Sequence, residues 1–369
     1  MKKVIVSVTN DLSTDQRVDK VCCTLSNMGF DVELVGRKLP GSFPLHRSYK
    51  THRMSLVFKK GPLFYAEYNT RLWWYLLTHR VNLLVSNDLD TLPANFVVHK
   101  IKRIPIVYDS HEFYTETPEL VNRPFVQGIW LWIEKRIFPR LTDIFTVNDS
   151  IAALYEQKYG KKLFVVRNLP RKNVSVKKIL PEDLGFKSGE HLIILQGAGI
   201  NIQRGAEEAI QAMEFVPDAK LLIIGGGDVV DDLKKLAAER NLNGRVIFMP
   251  RKPYNELMEY TAVAEIGLTL DKDTNINYRF SLPNKLFDYI NAQTPVLASP
   301  LTEIRKIVEN YKVGVLIENH DPRHIADKIN FMLQNNYKAK LKENLINASS
   351  VLNWEAEEEV LRSVYSKYV

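Results

Sequence analysis

The feature that most constrains this chain is an alternation of short apolar strands with longer amphipathic helices, which runs through the sequence twice. In each half the strand-length runs are rich in β-branched residues, and the segments between them place apolar residues at helical spacing. Residues 168–189 separate the halves and mix Pro, Gly, Asn and Lys without a period, which is typical of a linker. Because such alternation is typical of parallel sheets covered by helices, the sequence predicts two α/β domains.

The predicted elements form a doubly wound sheet in each half. In the first half the predicted strands are 3–8, 32–35, 83–85, 104–108 and 144–147, and the predicted helices are 16–28, 64–79, 92–101, 125–138 and 151–158. In the second half the strands are 191–196, 219–224, 246–249, 264–270, 296–298 and 314–316, and the helices are 205–213, 229–240, 254–261, 285–292, 303–309 and 322–333. A helical tail at 341–368 carries Trp354 and Tyr365, which we expect to be buried.

The composition excludes several classes of protein. Apolar residues make up 45% and charged residues 25% of the 369 residues, so disorder and fibrous repeats are poor interpretations. No run of 18 apolar residues occurs, and the five-residue hydrophobic run near the start predicts a strand rather than a secretory signal. Cys22 and Cys23 are adjacent and have neither disulfide geometry nor zinc-ligand spacing, so we expect a cytoplasmic protein.

Positive charge is concentrated in the first half. Residues 1–170 contain 24 Lys and Arg against 16 Asp and Glu, whereas residues 171–369 contain 26 against 27. This asymmetry predicts a polyanionic partner, either nucleic acid or an anionic membrane surface, with a merely soluble basic surface as the alternative. The predicted helices at 64–79 and 125–138 combine Trp with Arg and Lys, as membrane-interface helices do, although Trp residues of this kind also serve as core contacts.

The most informative motif is SLPNKLFDYINAQTPVLAS at 281–299. Pro283 and Asn284 are typical of a helix start, so the following helix would begin with unpaired amides beside the ammonium of Lys285. Such a helix start can bind a diphosphate, and Asp288 could accept hydrogen bonds from a ribose diol. The alternative is an ordinary capped helix followed by a buried strand.

A second candidate site lies in LQGAGINIQRGAEEAI at 195–210, where a strand ends in a glycine-containing loop. Gly197 lets the backbone approach a ligand closely, and Arg204 at the opening of the next helix could hold a phosphate, unless it is simply solvated. The stretch GGGDVV at 225–230 also follows a strand but lacks the last glycine of GxGxxG. It therefore predicts a tight turn rather than a nicotinamide or flavin site.

In the first half, polar residues follow three predicted strands. The stretch YDSHEFYTE brings Asp109, His111 and Glu112 to the carboxyl end of one strand, where they could move a proton or bind a hydroxyl. Asp88 and Asn10 follow two other strands, although Asp and Asn also cap helices. No HExxH, GxSxG, GxxxxGK[ST] or paired CxxC motif occurs, which argues against metalloproteases, serine hydrolases, P-loop NTPases and zinc ribbons.

These motifs resemble glycosyltransferase family 4, whose members are retaining enzymes of the GT-B fold, with two Rossmann-like domains facing a cleft. The likeness covers essentially the whole chain and rests on RG at 204–205, IIGGG at 223–227 and PNKLFDYINAQTPVLAS at 283–299. It implies an acceptor-binding domain at 1–170, a nucleotide-sugar-binding domain at 171–350 and a C-terminal helix at 351–369 that crosses back to the first domain.

The resemblance also implies roles for individual residues. The implied catalytic residues are His111, Arg204 and Lys285. The implied donor-binding residues are Gly197, Arg204, Asn284, Lys285, Leu286 and Asp288, of which Asp288 would hold the ribose hydroxyls. The acceptor-side candidates are Asn10, Asp88, Asp109 and Glu112. The sequence departs from the family pattern at Phe280, where a glutamate is expected, at Asp288, which is shorter than the usual glutamate, and at Ala198, which replaces an arginine.

The implied reaction is transfer of a sugar from a UDP- or GDP-sugar to a glycan or lipid-linked acceptor in the assembly of cell-surface polysaccharide or glycolipid. We expect front-face attack assisted by the leaving phosphate, no metal or other cofactor, and no nucleic-acid partner. An anionic membrane surface is the expected partner of the basic half, which would make the protein peripheral on the inner membrane. The alternative, which Phe280 leaves open, is a non-transferring GT-B protein such as a sugar-nucleotide-binding subunit or a UDP-sugar epimerase.

Overall fold

The computed structural model describes residues 1–13, 15–40, 42, 44–172, 180–187, 189–197 and 199–369. It divides the chain into two compact units: Met1–Asn168 together with Trp354–Val369, and Leu169–Asn353. Part of the predicted linker and Ala198 lie outside the described residues. The predicted domain bounds were 1–170, 171–350 and 351–369, so the observed divisions fall within three residues of them.

Over the described residues, the first unit forms a seven-stranded sheet in which all paired strands are parallel. Its strands are β1 (Lys3–Asp11), β2 (Asp31–Arg37), β3 (Lys50–Met54), β4 (Leu83–Asn87), β5 (Ile106–Ser110), β6 (Asp143–Thr146) and β7 (Phe164–Val165). Its helices before residue 168 are α1 (Gln16–Asn27), α2 (Gly61–Thr78), α3 (Asp88–Lys102), α4 (Pro118–Val121), α5 (Pro124–Ile137) and α6 (Asp149–Tyr159). The spatial order β3-β2-β1-β4-β5-β6-β7 reverses between β1 and β4, the switch point of a doubly wound sheet.

The second unit repeats this architecture with a six-stranded parallel sheet over its described residues. Its strands are β8 (His191–Gly197), β9 (Ala219–Gly225), β10 (Val246–Met249), β11 (Ile266–Thr269), β12 (Val296–Ala298) and β13 (Gly314–Leu316). Its helices are α7 (Ala206–Ala212), α8 (Val230–Glu239), α9 (Tyr254–Val263), α10 (Ile276–Arg279), α11 (Asn284–Asn291), α12 (Thr302–Tyr311), α13 (Pro322–Gln334), α14 (Tyr337–Lys340) and α15 (Lys342–Val351). The order β10-β9-β8-β11-β12-β13 reverses between β8 and β11.

The strands of these sheets are apolar because both faces are covered. Along β8, Leu192 and Ile194 belong to one hydrophobic cluster, whereas Ile193 and Leu195 belong to another. Successive side chains of a strand point to opposite faces, so an uninterrupted apolar run is required where helices lie on both sides. The sequence pattern therefore predicted these central strands correctly.

A last helix, α16 (Trp354–Tyr365), belongs to the first unit. Trp354 and Tyr365 are fully buried in the same cluster as the α1 residues Val18 and Val21. The carboxylate of Glu357 accepts hydrogen bonds from the Arg167 backbone amide at 2.7 Å and from its Nε at 2.8 Å. Burial of large aromatic side chains and an ion pair supported by a backbone hydrogen bond thus hold this helix in the first unit.

The predicted and observed elements differ in two short strands, in the start of one helix and in the C-terminal tail. The strands β3 and β7 were not predicted, since β3 reads KTHRM and is exposed at its start, and β7 has only two residues. The helix α3 begins at Asp88 instead of residue 92. Pro93 therefore lies inside the helix, although proline is usually confined to the first turn. The predicted continuous tail at 341–368 is interrupted, and its last interruption at Leu352–Asn353 coincides with the division between the units.

Replacing Trp354 by alanine should strongly destabilise the first unit. Its side chain is completely buried, and removal of a buried Trp typically costs about 3–5 kcal/mol. Trp74→Ala is the matched control, because Trp74 is 64% exposed and should change the free energy of unfolding by less than about 1 kcal/mol. Urea unfolding followed by circular dichroism measures both, and equal losses would show that α16 contributes little to the first unit.

Candidate functional site

The structure places polar side chains at the switch points of both sheets. In an open parallel sheet, ligands bind beyond the carboxyl ends of the strands at the point where the strand order reverses. In the second unit this region contains Gly197 at the end of β8 and Asp271 two residues beyond β11. In the first unit it contains Asp88, which follows β4 directly.

A glycine brings two parts of the second-unit site together. Gly205 precedes α7 with a left-handed φ of +74°, and a Cβ atom there would lie 2.3 Å from the carbonyl oxygen of Leu270. Only glycine permits this backbone approach without a shift of the chain. The close contact sets Arg204 beside Asp271, the residue that follows Leu270. The position of the predicted phosphate ligand therefore depends on its glycine neighbour.

Asp271 joins the two predicted cations, Arg204 and Lys285. Arg204 Nη1 donates to Asp271 Oδ1 at 2.8 Å, and Lys285 Nζ lies 3.4 Å from Asp271 Oδ2. Thr269 Oγ1 also donates to Oδ2, at 3.1 Å. The Asp271 side chain is fully buried, whereas Arg204 keeps 27% of its side chain exposed. One carboxylate thus positions two cations, and the cluster retains a net positive charge.

The electrostatics of this cluster favour the charged forms of Asp271 and Arg204. Although burial acts in the opposite direction, Lys285 and Arg204 hold the pKa of Asp271 below its ordinary value. Burial lowers the pKa of Lys285, and the attraction of Asp271 offsets that effect only in part. The Arg204 guanidinium stacks 4.4 Å from the ring centroid of Tyr278, and its Nε is buried without a hydrogen-bond partner among the described residues. These contacts fix the plane of the guanidinium.

The helix α11 begins where the motif predicted, but its first residues differ in role from the prediction. Pro283 is the N-cap and makes no side-chain capping bond, whereas Asn284 is the first helical residue rather than the cap. Lys285 follows it. The Leu286 side chain is fully buried and its amide donates to Pro283 O at 3.1 Å, so its place is in the core. The partial positive charge of the helix start therefore lies beside Lys285.

Asp288 is held by its own unit. Its carboxylate accepts from Tyr254 Oη at 2.8 Å and from Gln196 Nε2 at 3.3 Å, and Gln196 in turn accepts from Thr261 Oγ1 at 2.6 Å. Gln196 immediately precedes Gly197 at the end of β8, so Asp288 lies near that strand end. A carboxylate oxygen can accept more than one hydrogen bond, so these contacts leave capacity for a ligand hydroxyl.

The loop after β8 packs against the tight turn after β9. A Cβ atom at Gly225 would lie 1.9 Å from Gly197 O, and Ile200 N donates to Gly226 O at 2.9 Å. The glycines at 225–227 thus serve close packing beside Gly197. Ala198, whose side chain departs from the family pattern, is not among the described residues.

The first unit holds a second cluster of buried charges. Arg17 forms a bidentate pair with Asp109, with Nη2 to Oδ1 at 2.7 Å and Nε to Oδ2 at 3.1 Å. His111 lies between two carboxylates: Nδ1 is 3.2 Å from Asp88 Oδ2, and Nε2 is 3.4 Å from Asp109 Oδ2. The His111 amide also donates to Asp88 Oδ1 at 2.8 Å. The predicted residues Asp88, Asp109 and His111 therefore form one cluster.

This cluster keeps the imidazole charged. Burial opposes protonation of His111, but the carboxylates of Asp88 and Asp109 outweigh it and raise its pKa well above the ordinary value. Burial alone would also raise the pKa of Asp109, but Arg17 and His111 hold it well below its ordinary value. His111 Nε2 makes no hydrogen bond among the described residues, so it could donate to a ligand oxygen, whereas a role as proton acceptor is disfavoured.

The remaining acceptor-side candidates are not part of this cluster in the contacts observed. Asn10 is exposed and donates to Asp15 Oδ2 at 3.0 Å, at the N-terminus of α1. Glu112 is half-buried, and its backbone carbonyl accepts from Ser110 Oγ at 2.8 Å. Sequence reasoning missed two residues. Arg17 positions Asp109 in the first-unit cluster, and Asp271 positions the two cations of the second-unit cluster. A usable signal existed for Asp271, since DKD at 271–273 directly follows a predicted strand.

Asp90, in the first turn of α3, is a further buried carboxyl that the sequence analysis did not select as a site residue. Thr9 Oγ1 donates to its Oδ2 at 2.5 Å, whereas Oδ1 has no hydrogen-bond partner among the described residues. Burial, helped by the nearby Asp88 carboxylate, raises the pKa of Asp90 to about 7. The side chain therefore changes its charge close to neutral pH.

Across the ranges that the structure describes, no group of three or more His, Cys, Asp or Glu side chains is arranged to hold a metal ion. None of the described helices combines the length and the apolar character that crossing a bilayer requires.

Two doubly wound parallel units define the GT-B class of architecture, as the sequence predicted. The model of the family described as Glycosyltransferase Family 4 matches residues 16–169, and that described as Glycosyl transferases group 1 matches residues 177–350. Together these matches leave only the termini and a short segment between the units uncovered. The chain belongs to the glycosyltransferase 4 family, which confirms the resemblance.

Curated relatives are distant in sequence. A D-inositol 3-phosphate glycosyltransferase from Xylanimonas cellulosilytica is 24% identical over 206 residues, covering 53% of this chain and 46% of that protein. Another, from a Nocardioides species, is 25% identical over 209 residues, covering 53% of this chain and 44% of its own length. The matches thus span about half the length of these relatives.

Solved structures share the fold over the whole chain. Sucrose-phosphate synthase from Thermosynechococcus elongatus has a TM-score of 0.82 at 17% identity, covering 100% of this chain and 99% of that chain. Anabaena HepE in complex with UDP and glucose has a TM-score of 0.78 at 15% identity, covering 99% of this chain and 100% of that chain. WaaG, a glycosyltransferase involved in lipopolysaccharide biosynthesis, has a TM-score of 0.74 at 14% identity, covering 98% and 99%. At these identities the likeness shows the fold.

Replacing Asp90 by asparagine should stabilise the protein at pH 8 more than at pH 4.5. Because the pKa of Asp90 is raised to about 7 in the folded state, against about 4 when unfolded, folding takes up a proton between these values. The contribution of Asp90 to the free energy of unfolding of the wild type therefore falls as the pH rises from about 4 to about 7, and it stays constant at higher pH. At pH 8 we expect Asp90→Asn to raise the free energy of unfolding, measured by urea denaturation, by about 1–4 kcal/mol.

The control for this experiment is Asp31→Asn, which also removes one carboxylate from the first unit. The Asp31 side chain is 33% exposed, so it is not a buried carboxyl. Its effect on stability should be small, because exposed ion pairs contribute about 0–1 kcal/mol. A gain for Asp90→Asn that does not change with pH would contradict the raised pKa.

Proposed function

We propose that this protein is a retaining glycosyltransferase. It would transfer a sugar from a UDP- or GDP-sugar to a glycan or lipid-linked acceptor in the assembly of cell-surface polysaccharide or glycolipid. The observation that carries this proposal is the pair of cations, Arg204 and Lys285, fixed by one buried carboxylate, Asp271, at the start of α11. The family supports sugar transfer, and HepE, a structural neighbour, was solved with UDP and with UDP-glucose.

The proposed donor site acts on the leaving group. Departure of a nucleoside diphosphate concentrates negative charge on its phosphate oxygens, so cations already aimed at those oxygens stabilise the transition state. Arg204 has a fork of donors, with Nη1 occupied by Asp271, and Lys285 adds a point charge beside the start of α11. Gly197 and Asn284 would line this site, and Asp288 would accept hydrogen bonds from the ribose. These cations would make a metal ion unnecessary.

The first unit would bind the acceptor, and His111 would contact a sugar there. This imidazole lies between Asp88 and Asp109, and its Nε2, which makes no hydrogen bond among the described residues, would donate to a sugar oxygen. With no general base assigned, the acceptor proton would pass to the departing phosphate on the same face of the sugar. Attack and departure on one face retain the anomeric configuration. Asp109 would act as a positioning residue, since Arg17 and His111 occupy its carboxylate.

Replacing Arg204 by glutamine or Lys285 by alanine should weaken binding of UDP or GDP by about tenfold or more, because charge-assisted hydrogen bonds contribute about 1.5–3 kcal/mol each. Calorimetry in a buffer containing EDTA measures this loss and also tests binding without a metal. Arg279→Gln is the matched control, since the Arg279 side chain is 52% exposed and pairs only with Asp273 in the contacts observed. Unchanged affinity for both nucleotides in the Arg204 and Lys285 variants, shown to be folded, would exclude this donor site.

A non-transferring GT-B protein, such as a sugar-nucleotide-binding subunit or a UDP-sugar epimerase, is the second candidate. Phe280 favours it, because an aromatic side chain stands where the family resemblance places a glutamate. Product analysis separates the two candidates. We expect the wild type to release nucleoside diphosphate and to label an acceptor lipid or glycan with an α- or β-linkage that matches the donor. Epimerised donor or free sugar as the main product, with acceptor present, would favour the second candidate.

An anionic membrane surface is the proposed partner of the first unit. On α5, Phe125, Ile129 and Trp132 are 81%, 46% and 59% exposed and follow one another at helical spacing. Arg136 continues this row, and its guanidinium lies 5.0 Å from the ring centroid of Trp132. Trp130, by contrast, is buried against Tyr65 and Tyr114 and serves as core. An apolar row that ends in basic residues fits the boundary of an anionic leaflet.

We expect the protein to float with vesicles that contain anionic lipid at low salt and to remain unbound with neutral vesicles. Phe125→Ser together with Trp132→Ser should abolish flotation, since each removes exposed apolar area that would enter the interface. The control is Trp74→Ser, which removes an exposed Trp from α2 instead. Absence of the wild type from both lipid fractions would remove the membrane proposal.

A further inference from the structure

A basic pocket in the first unit lies outside the clusters described above. Its volume is about 280 Å³, and it is lined by Arg37, Lys38, Ser55, Phe58, Lys59 and Phe64, among others. Its lining therefore contains three cations and no carboxylate. The volume is close to the lower limit of small-molecule sites, which suits one charged group with part of a sugar attached.

The three cations of the basic pocket lack carboxylate partners among the described residues. Nearby acidic groups are already paired: Asp11 accepts from Arg53 Nη2 at 3.0 Å, and Glu67 lies 2.7 Å from Arg71 Nη2. The buried carboxyl of Asp90 also acts on Arg37, so that the three cations keep an excess of positive charge that only Asp90 reduces. A cavity with this charge attracts an anion.

Arg37 is the best-positioned cation of the three. It ends β2, and its Cζ lies 4.8 Å from the ring centroid of Phe64, which fixes the plane of the guanidinium. Its Nε is buried and has no hydrogen-bond partner in the described part of the chain. Its Nη1 donates to Lys59 O at 3.5 Å, which connects two of the residues that line the basic pocket.

The wall of the basic pocket that carries Phe58 and Lys59 is held in place before any ligand binds. The Glu67 carboxylate accepts from Val57 N at 3.0 Å and from Phe58 N at 2.9 Å. Arg71 Nη1 donates to Ser55 O at 3.1 Å. Because these bonds fix the segment between β3 and α2, a ligand would not have to order it on binding.

The basic pocket lies at the same edge of the sheet as His111. Arg37 and Ser55 are at the carboxyl ends of β2 and β3, and His111 follows the carboxyl end of β5. Three strand intervals separate β2 from β5 in the order β2-β1-β4-β5, which is about 14 Å at about 4.8 Å per interval. With the reach of an arginine side chain, this distance can be spanned by a phosphorylated sugar whose hydroxyl lies near His111.

We propose that the basic pocket binds a phosphate monoester on the acceptor, so that the substrate class is a phosphorylated sugar or sugar-like alcohol. This inference rests on the proposed glycosyl transfer, because it assigns the acceptor side of that reaction. A phosphate monoester carries a charge of about −1.5 to −2 at pH 7 and three acceptor oxygens, which suits three cations better than a carboxylate does. Phe58, which is 42% exposed, would contact the C–H face of the attached ring.

The experiment measures binding of four probes by calorimetry or NMR: glucose 6-phosphate, inositol 1-phosphate, glucose and glucuronate. A fifth probe, vesicles of phosphatidylcholine with phosphatidic acid, presents the same phosphate monoester on a lipid. We expect at least one phosphate monoester to bind, and Arg37→Gln to weaken it about tenfold or more, since it removes a charge-assisted contact. Binding should also strengthen from pH 5.5 to pH 7.5, as the second phosphate ionisation near pH 6 is completed.

The matched control is Arg80→Gln, which removes the same charge from an exposed position at the opposite edge of the sheet, just before β4. Binding of glucose or glucuronate as tight as that of the phosphates, or equal losses in the Arg37 and Arg80 variants, would overturn the proposal, as would no binding of any phosphate probe. Arg37-dependent binding only to the vesicles would place the phosphate on a lipid. Nucleotide affinity, measured in parallel, depends on Arg204 and Lys285 of the other unit, so failure of the acceptor pocket and failure of the donor site are distinguishable.

Discussion

The buried carboxylate of Asp271 is the constraint on which the candidate donor site depends. A lone carboxylate in a protein interior is strongly unfavourable, so its burial requires partners of opposite charge and further hydrogen bonds. Arg204, Lys285 and Thr269 supply them. Because one negative charge holds two positive ones, the cluster is both fixed in position and left with a positive charge for a ligand. The absence of a Cβ atom at Gly205 makes this contact geometrically available.

The first unit balances its buried charges differently. Two cations, Arg17 and protonated His111, lie among two carboxylates, Asp88 and Asp109. This balance fixes the protonation state of the imidazole instead of presenting a net charge. Asp88 also has a left-handed φ of 58°, which is uncommon for a residue other than glycine and tolerated by Asp. Local backbone strain at the start of α3 thus accompanies the position of the imidazole.

Much of the fold and part of the site were predictable from the sequence. Apolar runs marked the central strands because both faces of each sheet are covered, and the edge strand β3 escaped notice because a polar edge strand lacks that pattern. Lys285 and Arg204 were found because helix starts carry a local signal. Arg17 was missed because its partner Asp109 lies 92 positions away in the chain, which no local spacing records. Asp271 was missed although it directly follows a predicted strand, because its partner Arg204 lies 67 positions away.

The excess positive charge of residues 1–170 has to lie outside the buried cluster, since Arg17, His111, Asp88 and Asp109 balance one another. Part of it lies on two surfaces of different shape. On α5, basic residues follow a convex row of exposed apolar side chains, whereas Arg37, Lys38 and Lys59 line a concave pocket. A convex apolar and basic helix can contact an extended surface, and a small basic cavity can enclose a single anionic group. One charge asymmetry in the sequence would therefore correspond to the two proposed modes of recognition, which net charge alone could not have separated.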